Sequence, residues 1–338
     1  MKILVTGGLG FIGSHTVVEL QNKGYDVVIV DDLSNASIEV LDGIESITGK
    51  LPDFVKLDLR EVAGVQKLFS DYKDIEGVIH FAASKAVGES VEKPLMYYEN
   101  NIVPLINILK ELDKKEKSNF IFSSSCTVYG QAAVMPITEV APIQVALSPY
   151  GNTKQIGEEI ITDVTKVSNI SAVLLRYFNP IGAHESALIG ELPLGVPQNL
   201  VPFITQTAIG LRKELSVFGD DYDTPDGTCV RDYIHVVDLA KAHVAALDRL
   251  IKEENSDKVE TFNIGTGKGS SVLEVIKAFE KVSNTKLPYK MVDRREGDIT
   301  EAYASTTKAN EVLGWKAELS LEDALASAWK WEEKVRNS

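Results

Sequence analysis

The eight residues Thr6-Gly7-Gly8-Leu9-Gly10-Phe11-Ile12-Gly13 constrain this chain more than any other stretch. They follow a short apolar run, Ile3 to Thr6, and open a helical pattern that continues from Ser14 to Lys23. The glycines read as G-x-G-x-x-G from Gly8 or as G-x-x-G-x-x-G from Gly7. In either register they permit a tight turn and let the backbone approach a pyrophosphate at the positive end of a helix. A glycine-rich stretch by itself is often only a turn. Strand, loop and helix in this order make it a dinucleotide fingerprint.

Asp31 strengthens that reading. It ends the second strand-like run, eighteen residues after Gly13. A carboxylate there accepts hydrogen bonds from ribose hydroxyls and repels a 2′-phosphate. No Lys or Arg lies between Lys23 and Lys50 to offset the repulsion, so NAD is expected rather than NADP. The other reading of Asp31 is a solvated acid at a strand end.

The rest of the first half repeats the same rhythm. Asp26 to Asp31, Asp53 to Asp58, Gly77 to Phe81, Asn119 to Ser123 and Ala172 to Tyr177 read as strands, with helical stretches such as Glu61 to Tyr72 between them. Their side chains are apolar on both faces, as strands buried between two helix layers must be. The fold class expected is α/β, a Rossmann-like doubly wound parallel sheet with a smaller α/β substrate-binding lobe. The boundary expected is 1–177 for the cofactor domain and 178–338 for the lobe, the chain returning to the sheet around 236–263. Beyond Tyr177 the pattern breaks into a loop-rich stretch with Pro180, Pro193, Pro197 and Pro202, followed by helices around Val236 to Lys252 and from Leu321.

Composition closes off several classes. A net charge of −14 disfavours a nucleic-acid partner, since the chain as a whole repels phosphodiester backbones. Two cysteines, Cys126 and Cys229, cannot form a disulfide framework, which fits a reducing compartment. The apolar run after Lys2 is too short for a signal-peptide core, and no later stretch approaches membrane-spanning length. The expectation is a cytoplasmic protein with no membrane association and no metal.

A second motif carries chemistry. Ser148-Pro149-Tyr150-Gly151-Asn152-Thr153-Lys154 has a cap residue followed by a proline suited to a first helical turn. Tyr150 and Lys154, four apart, then share one helix face. A free phenol ionises near ~10, too high for a base at neutral pH, and an adjacent ammonium favours the phenolate. Ser125, just past the strand ending at Ser123, can hydrogen-bond a substrate hydroxyl during proton transfer. Tyr-x-x-x-Lys by itself is common on surface helices. Behind a dinucleotide fold, and after the run Ser123-Ser124-Ser125, it reads as a catalytic pair.

With these residues in view, the chain resembles the extended short-chain dehydrogenase/reductase superfamily and, within it, the UDP-glucose 4-epimerase family over essentially its whole length. The stretches V-T-G-G-L-G-F-I-G-S-H, F-S-S-S-C-T-V-Y-G and S-P-Y-G-N-T-K carry the superfamily likeness, whereas K-A-V-G-E-S, R-Y-F-N-P-I-G-A and V-R-D-Y-I-H-V are closer to the epimerases. The resemblance implies that Gly7, Gly10, Phe11, Ile12, Gly13, Asp31, Asp32, Leu33, Ser34, Asn35, Ala36, Asp58 and Leu59 line the NAD, together with Phe81, Ala82, Ala83, Ser84 and Lys85. Asn100, Ser125, Tyr150, Lys154 and Phe178 complete the nicotinamide end. Asn179, Asn199, Leu200, Phe218, Arg231, Arg295, Asp298 and Ala302 hold the UDP-sugar, with Lys85, Ser125 and Tyr150 shared. Two arginines suit a pyrophosphate, each with charge and directional donors; the structural alternative for Arg231 is an ion pair with a neighbouring acid such as Asp232.

The implied reaction is transient oxidation at sugar C4, rotation of the 4-keto sugar and re-reduction from the other face, with no net redox change. The family also implies a homodimer built on the helices Tyr97 to Glu111 and Tyr150 to Ser168. It further implies that the residue four after Asp298 borders the hexose near its 2-substituent. Here that residue is Ala302, with Tyr303 facing elsewhere, so UDP-N-acetylhexosamines are expected as additional substrates. Two rivals remain at this stage. A sugar-nucleotide 4,6-dehydratase needs an extra acid and base, an Asp-Glu pair in the resembling enzymes, where this chain has Cys126 and Thr127. A non-catalytic dinucleotide sensor is expected to lose Tyr150 or Lys154, and both are kept.

Overall fold

Apolar runs with no polar face are stable only when covered on both sides, and the chain meets that demand with one large parallel sheet. The computed structural model describes residues 1–295 and 297–337; Glu296 and Ser338 lie outside the described residues. The first half runs β1 (Lys2–Thr6), α1 (Phe11–Asn22), β2 (Asp26–Asp31), α2 (Val40–Thr48), β3 (Asp53–Lys56), α3 (Val62–Asp71) and β4 (Ile75–His80). It continues with α4 (Val87–Glu92), α5 (Pro94–Leu112), β5 (Ser118–Ser123), α6 (Pro149–Val167) and β6 (Ile170–Tyr177).

After β6 come β7 (Asn179–Ile181), α7 (Leu200–Ala208), β8 (Leu215–Phe218), β9 (Val230–Arg231), β10 (Tyr233–His235), α8 (Val236–Ile251) and β11 (Val259–Ile264). The chain ends with β12 (Ser270–Ser271), α9 (Val272–Ser283), β13 (Tyr289–Val292), β14 (Glu301–Ala302), α10 (Thr307–Glu311) and α11 (Leu321–Asn337).

The main sheet has the order β11-β6-β5-β4-β1-β2-β3, every pair parallel. Successive residues of each strand face opposite layers. Ile3, Val5, Ile29, Ile79, Ile121 and Val173 pack towards α1 and α8, while Leu4, Val28, Val78, Phe120 and Leu174 pack towards α3, α5 and α6. The strand order reverses between β1 and β4, which opens the crevice where ligands bind in such sheets. Helix α8 packs on α1, and β11 pairs with β6 from Val259↔Ala172 to Ile264↔Tyr177.

Boundaries moved where side chains end an element. The run expected to reach Asp58 stops at Lys56, because the Asp58 carboxylate turns the chain by accepting the Arg60 backbone N–H at 2.9 Å. The stretch expected to begin at Gly77 starts two residues earlier, at Ile75, which pairs with Lys2.

The remaining strands are short and pair in small groups: β7 with β10, β8 with β13, and β9 between β12 and β14. Ile181, Val201, Ile204, Phe279, Leu325 and their neighbours form their own core under α7, α9 and α11. A further cluster, Val128, Tyr129, Ile137, Phe178, Ala302 and Ala304, joins this part to the ends of the main strands. Among the described residues no helix is long and apolar enough to cross a membrane.

Candidate active site

The glycine loop lies at the reversal of strand order, and three of its four glycines do different work. Gly7 has φ +67°, and a Cβ there would come within 2.8 Å of the Ala82 nitrogen. A Cβ on Gly13 would fall 2.2 Å from the Gly7 carbonyl oxygen, so only glycine lets α1 start this close to the loop. At Gly10 an added Cβ meets only the Gly7 carbonyl, at 3.2 Å, leaving that face open. Gly10 is the N-cap of α1 and supplies no side-chain cap. An uncapped, twelve-residue helix with an open glycine in front of it fits a diphosphate.

Asp31 closes the other side. Its carboxylate accepts the Leu9 N–H at 3.2 Å and the Leu33 N–H at 3.0 Å, which ties the glycine loop to the turn that follows β2. Leu33 takes φ +64° in that turn. Burial pushes the Asp31 carboxyl up, with the neighbouring Asp32 adding to it and the backbone N–H groups opposing. Its partners are backbone N–H groups and a second acid, so the site fits NAD and repels a 2′-phosphate. Asp32 holds Ser34 through its backbone N–H and its hydroxyl, at 2.8 and 2.6 Å. Asn35 is exposed, and Ala36 packs on the sheet core. Asp58 lies beyond β3, paired with Arg60 at 2.6 Å, and Leu59 is buried beside it.

The segment after β4 forms the next wall. Phe81 is part-buried against the core, and the Ala82 N–H reaches the Thr6 hydroxyl at 3.3 Å. Ala83 is part-buried, and Ser84 donates its N–H to the Asn101 side-chain oxygen at 2.8 Å while its hydroxyl accepts the Asn100 amide at 3.0 Å. Asn100 sits in the first half of α5, whose Pro104 has no N–H to offer the Asn100 carbonyl. The Lys85 ammonium stands 5.8 Å from the Phe11 ring centre and 3.1 Å from Glu191. Ile12 packs on the core from α1.

Helix α6 carries the tyrosine–lysine pair. The Ser148 hydroxyl caps it by accepting the Gly151 N–H at 3.1 Å, and Pro149 fills its first turn. Tyr150 and Lys154 are both buried, and the Lys154 ammonium lies 5.9 Å from the Tyr150 ring centre and 5.0 Å from that of Phe122. Its hydrogen bond goes to the Ser123 carbonyl at 2.7 Å. Burial lowers Lys154 to about 8, Glu158 opposing. Burial drives the Tyr150 phenol well above its ordinary range, Tyr177 adds to this, and a hydrogen bond with Ser125 pulls it back. The protein's own groups therefore do not favour the phenolate; the cationic help expected from Lys154 is outweighed by desolvation of the phenol.

The three serines divide the work at the end of β5. Ser123 bonds the Tyr177 hydroxyl at 2.6 Å and Ser124 bonds Glu158 at 2.5 Å. Ser125 caps the 3₁₀ turn Cys126–Tyr129 through the Thr127 N–H at 3.2 Å and also reaches Tyr150. Only Ser125 is thereby left beside the reacting pair.

The opposite wall comes from the second half. Phe178 is buried in the joining cluster, and the Asn179 N–H bonds the Asp232 carbonyl at 2.9 Å. Asn199 is the N-cap residue of α7 without making a cap bond, its amide reaching Glu191 at 2.8 Å, and Leu200 begins the helix. Arg295 stacks on Phe218 at 4.4 Å, while Arg294 turns to Tyr222 and Asp221. Arg231 pairs with Asp298 at 3.5 Å and also donates to the Val230 carbonyl at 2.9 Å. Asp232, its sequence neighbour, is instead filled by the Thr266 hydroxyl and the N–H groups of Thr266, Gly267 and Ala304. Ala302 is 2 % exposed within the joining cluster, and Tyr303 lies against Gly269. The successive residues Ala302 and Tyr303 thus face apart, as an extended segment requires.

Comparison with known proteins matches this arrangement. Residues 4–328 fit a family model described as GDP-mannose 4,6 dehydratase. A UDP-glucose 4-epimerase of Pasteurella multocida is 50% identical, covering 99% of this chain and 98% of that protein. The chain belongs to the UDP-glucose 4-epimerase family. Two solved structures of that family superpose over 100% of this chain and 99% of theirs. The Bifidobacterium longum enzyme, in complex with NAD+ and UDP, is 50% identical with a TM-score of 0.95. The Stenotrophomonas maltophila enzyme, with bound NAD and formylated UDP-arabinopyranose, is 46% identical with a TM-score of 0.96.

Against that family frame, the sequence reading missed a buried layer behind the catalytic helix. Glu158 and Arg176 form a bidentate pair at 2.9 and 2.5 Å, and Arg176 reaches the Tyr129 hydroxyl at 3.0 Å. Tyr129 continues to Asn263 at 2.6 Å. Asn101 links the Ser84 carbonyl to the Thr153 hydroxyl, both at 3.0 Å, tying α5 to α6. The spacing of Glu158 four residues after Lys154 was the available signal.

Proposed function

We propose that this protein is an NAD-dependent isomerase interconverting UDP-glucose and UDP-galactose. The observation that carries the reading is Tyr150, Lys154 and Ser125 converging at the carboxyl ends of the main strands, with Arg231 near enough to act on Cys126, the residue after Ser125. Bound NAD supplies a hydride acceptor and donor, and in its oxidised form a positive ring. Tyr150 takes the proton from the sugar 4-hydroxyl and later returns it, with Ser125 hydrogen-bonding the same oxygen. Lys154, anchored on Ser123, keeps a cation in the buried site that offsets the phenolate charge. Arg231, Arg295 and Asn179 grip the UDP, which is common to substrate and product, so the hexose stays free to turn over between the two half-reactions.

The main sheet, 1–177 with the returning segment around 236–263, holds NAD in this reading, and the remainder of 178–338 holds the UDP-hexose. The dehydratase alternative lacks its acid and base. Burial pushes the Cys126 thiol up to about 12, and the buried Thr127 hydroxyl has no hydrogen-bond partner. Incubation with UDP-galactose separates the readings: UDP-glucose supports epimerisation, a 4-keto-6-deoxy sugar the dehydratase, and no turnover a sensor.

The active unit proposed is a homodimer. Ile102, Val103 and Ile106 of α5 and Ile156 of α6 remain only half-buried after both helices have packed on the sheet, which leaves an apolar strip for a second copy. A sedimentation mass of 37.0 kDa across micromolar concentrations would refute it. The two free cysteines, Cys126 and Cys229, support a cytoplasmic setting, to be checked by fractionation. Ala302 supports added activity on UDP-GlcNAc and UDP-GalNAc.

A further inference from the structure

Glu191 occupies an unusual position for an acid in a cleft that takes a diphosphate. One of its carboxylate oxygens accepts two donors at once, the Lys85 ammonium at 3.1 Å and the Asn199 amide at 2.8 Å. Lys85 belongs to the loop after β4, on the cofactor side, and Asn199 stands at the head of α7, on the substrate side. The carboxylate therefore bridges the two walls. It is also held firmly. Its side chain is 11 % exposed, and its own carbonyl accepts the Trp331 indole N–H at 2.9 Å. The Trp331 ring lies so close to Gly190 that a Cβ there would come within 2.5 Å of it, so α11 fixes the backbone that carries the acid.

The consequence for α7 is direct. Asn is a preferred cap residue, yet the Asn199 amide is turned to Glu191, and the first turn of this nine-residue helix has no side-chain cap. Its first N–H groups are left without a side-chain cap at the positive end of the helix. The same carboxylate draws the flexible Lys85 side chain, whose ammonium is otherwise largely solvated, into one orientation.

We propose that Glu191 is a positioning residue for nucleotide binding, holding Lys85 and Asn199 in place from opposite walls of the cleft. The inference rests on the epimerase reading. It assigns Glu191 a part in ground-state binding of the UDP portion, with no part in proton transfer at C4.

Two variants separate its two contacts. Glu191→Gln keeps an oxygen for Asn199 but loses the charge that orients Lys85; Glu191→Ala loses both. UDP affinity by calorimetry and KM for UDP-galactose should weaken by roughly three- to fivefold in Glu191→Gln and roughly tenfold in Glu191→Ala, with a smaller fall in kcat. On a Lys85→Ala background, Glu191→Gln should add little, because the contact it removes is already gone. Equal affinity in wild type and Glu191→Ala, a tighter KM in either variant, or additive effects with Lys85→Ala would each overturn the proposal. A wild-type protein that binds UDP and epimerises UDP-galactose, with insensitive Glu191 variants, sinks this inference alone. A wild type that does neither sinks the epimerase reading as well.

Discussion

The two walls of the cleft are built on different principles. The cofactor wall grows from long parallel strands whose ends are locked by buried hydrogen bonds: Asp31 to the glycine loop, Ser84 to Asn100 and Asn101, Lys154 to Ser123. The sugar-nucleotide wall is assembled from strands of two to four residues and from side chains such as Arg231 and Arg294 whose ion pairs are partly solvated. The Glu158–Arg176 pair behind Tyr150 is 9 % exposed on both partners, whereas Arg231–Asp298 is 16 % and 24 % exposed and spans 3.5 Å. A cofactor that stays through turnover suits a rigid, desolvated wall. A substrate that must bind, turn and leave suits a wall whose contacts are weaker and easily replaced by water.

The largest effect should come from the rigid wall. Tyr150→Phe removes the proposed base and should lower kcat by about 10²–10⁴-fold while NAD remains bound, as measured by turnover and cofactor absorbance. Wild-type activity in that variant would remove Tyr150 from the mechanism. The pH profile tests the same pair. Lys154 ionises lower than ordinary lysine, about 8, so its ammonium is complete below that pH and lost above it. Activity should therefore fall on the alkaline side with a midpoint near 8. In Lys154→Ala the residual activity should instead rise towards alkaline pH, because the phenol, already pushed up by burial, has lost its cationic neighbour.

The next contrast sets one ion pair against the other. Glu158→Gln leaves Arg176 buried beside a neutral partner and should cost about 3–5 kcal/mol of folding stability, seen as a lower denaturation midpoint. Asp298→Asn breaks a partly solvated pair and should cost about 0–1 kcal/mol, while KM for UDP-galactose changes as Arg231 is released. Equal stability losses in the two variants would erase the distinction between the walls.

That distinction also decides what could be read before folding. Gly7, Gly10, Gly13 and Asp31 were legible because one strand-loop-helix unit brings them together, and Tyr150 and Lys154 because one helical turn does. The parallel sheet was legible from apolar runs such as Ile3 to Val5 and Val27 to Val30. Partnerships across distant segments were not. Sequence proximity suggested Asp232 for Arg231, but Asp232 folds back on Thr266, Gly267 and Ala304, and Asp298 arrives from 67 residues away. Ser123, Ser124 and Ser125 looked alike in the sequence; only their neighbours Tyr177, Glu158 and Tyr150 separate them. The upward shift of Tyr150 was hidden for the same reason, since desolvation depends on how completely the fold closes over the ring. Glu191 carried no local signal at all, because its donors lie 106 residues before it and 8 after it.

The smallest effect on plain hexoses should come from Ala302, and it tests how adaptable the substrate wall is. Its methyl group packs with Val128, Tyr129 and Phe178, and Cys126 joins the same cluster from the residue after Ser125. In the proposed reading, a side chain this small leaves the wall beside the hexose low enough to admit an acetamido group. In Ala302→Tyr the added ring has two places to go. If it stays within the cluster it overpacks a region that is already closed, and stability falls by about 1–3 kcal/mol with substrate preference unchanged. If it swings towards the hexose, the cluster is spared, UDP-galactose turnover changes little, and UDP-GalNAc turnover drops on the order of tenfold. The second outcome is expected, because substrate contacts on this wall are the ones free to rearrange. Competing UDP-galactose and UDP-GalNAc assays, read beside a melting curve, tell the two apart; a wild type inert towards UDP-GalNAc would end the proposal for acetamido sugars.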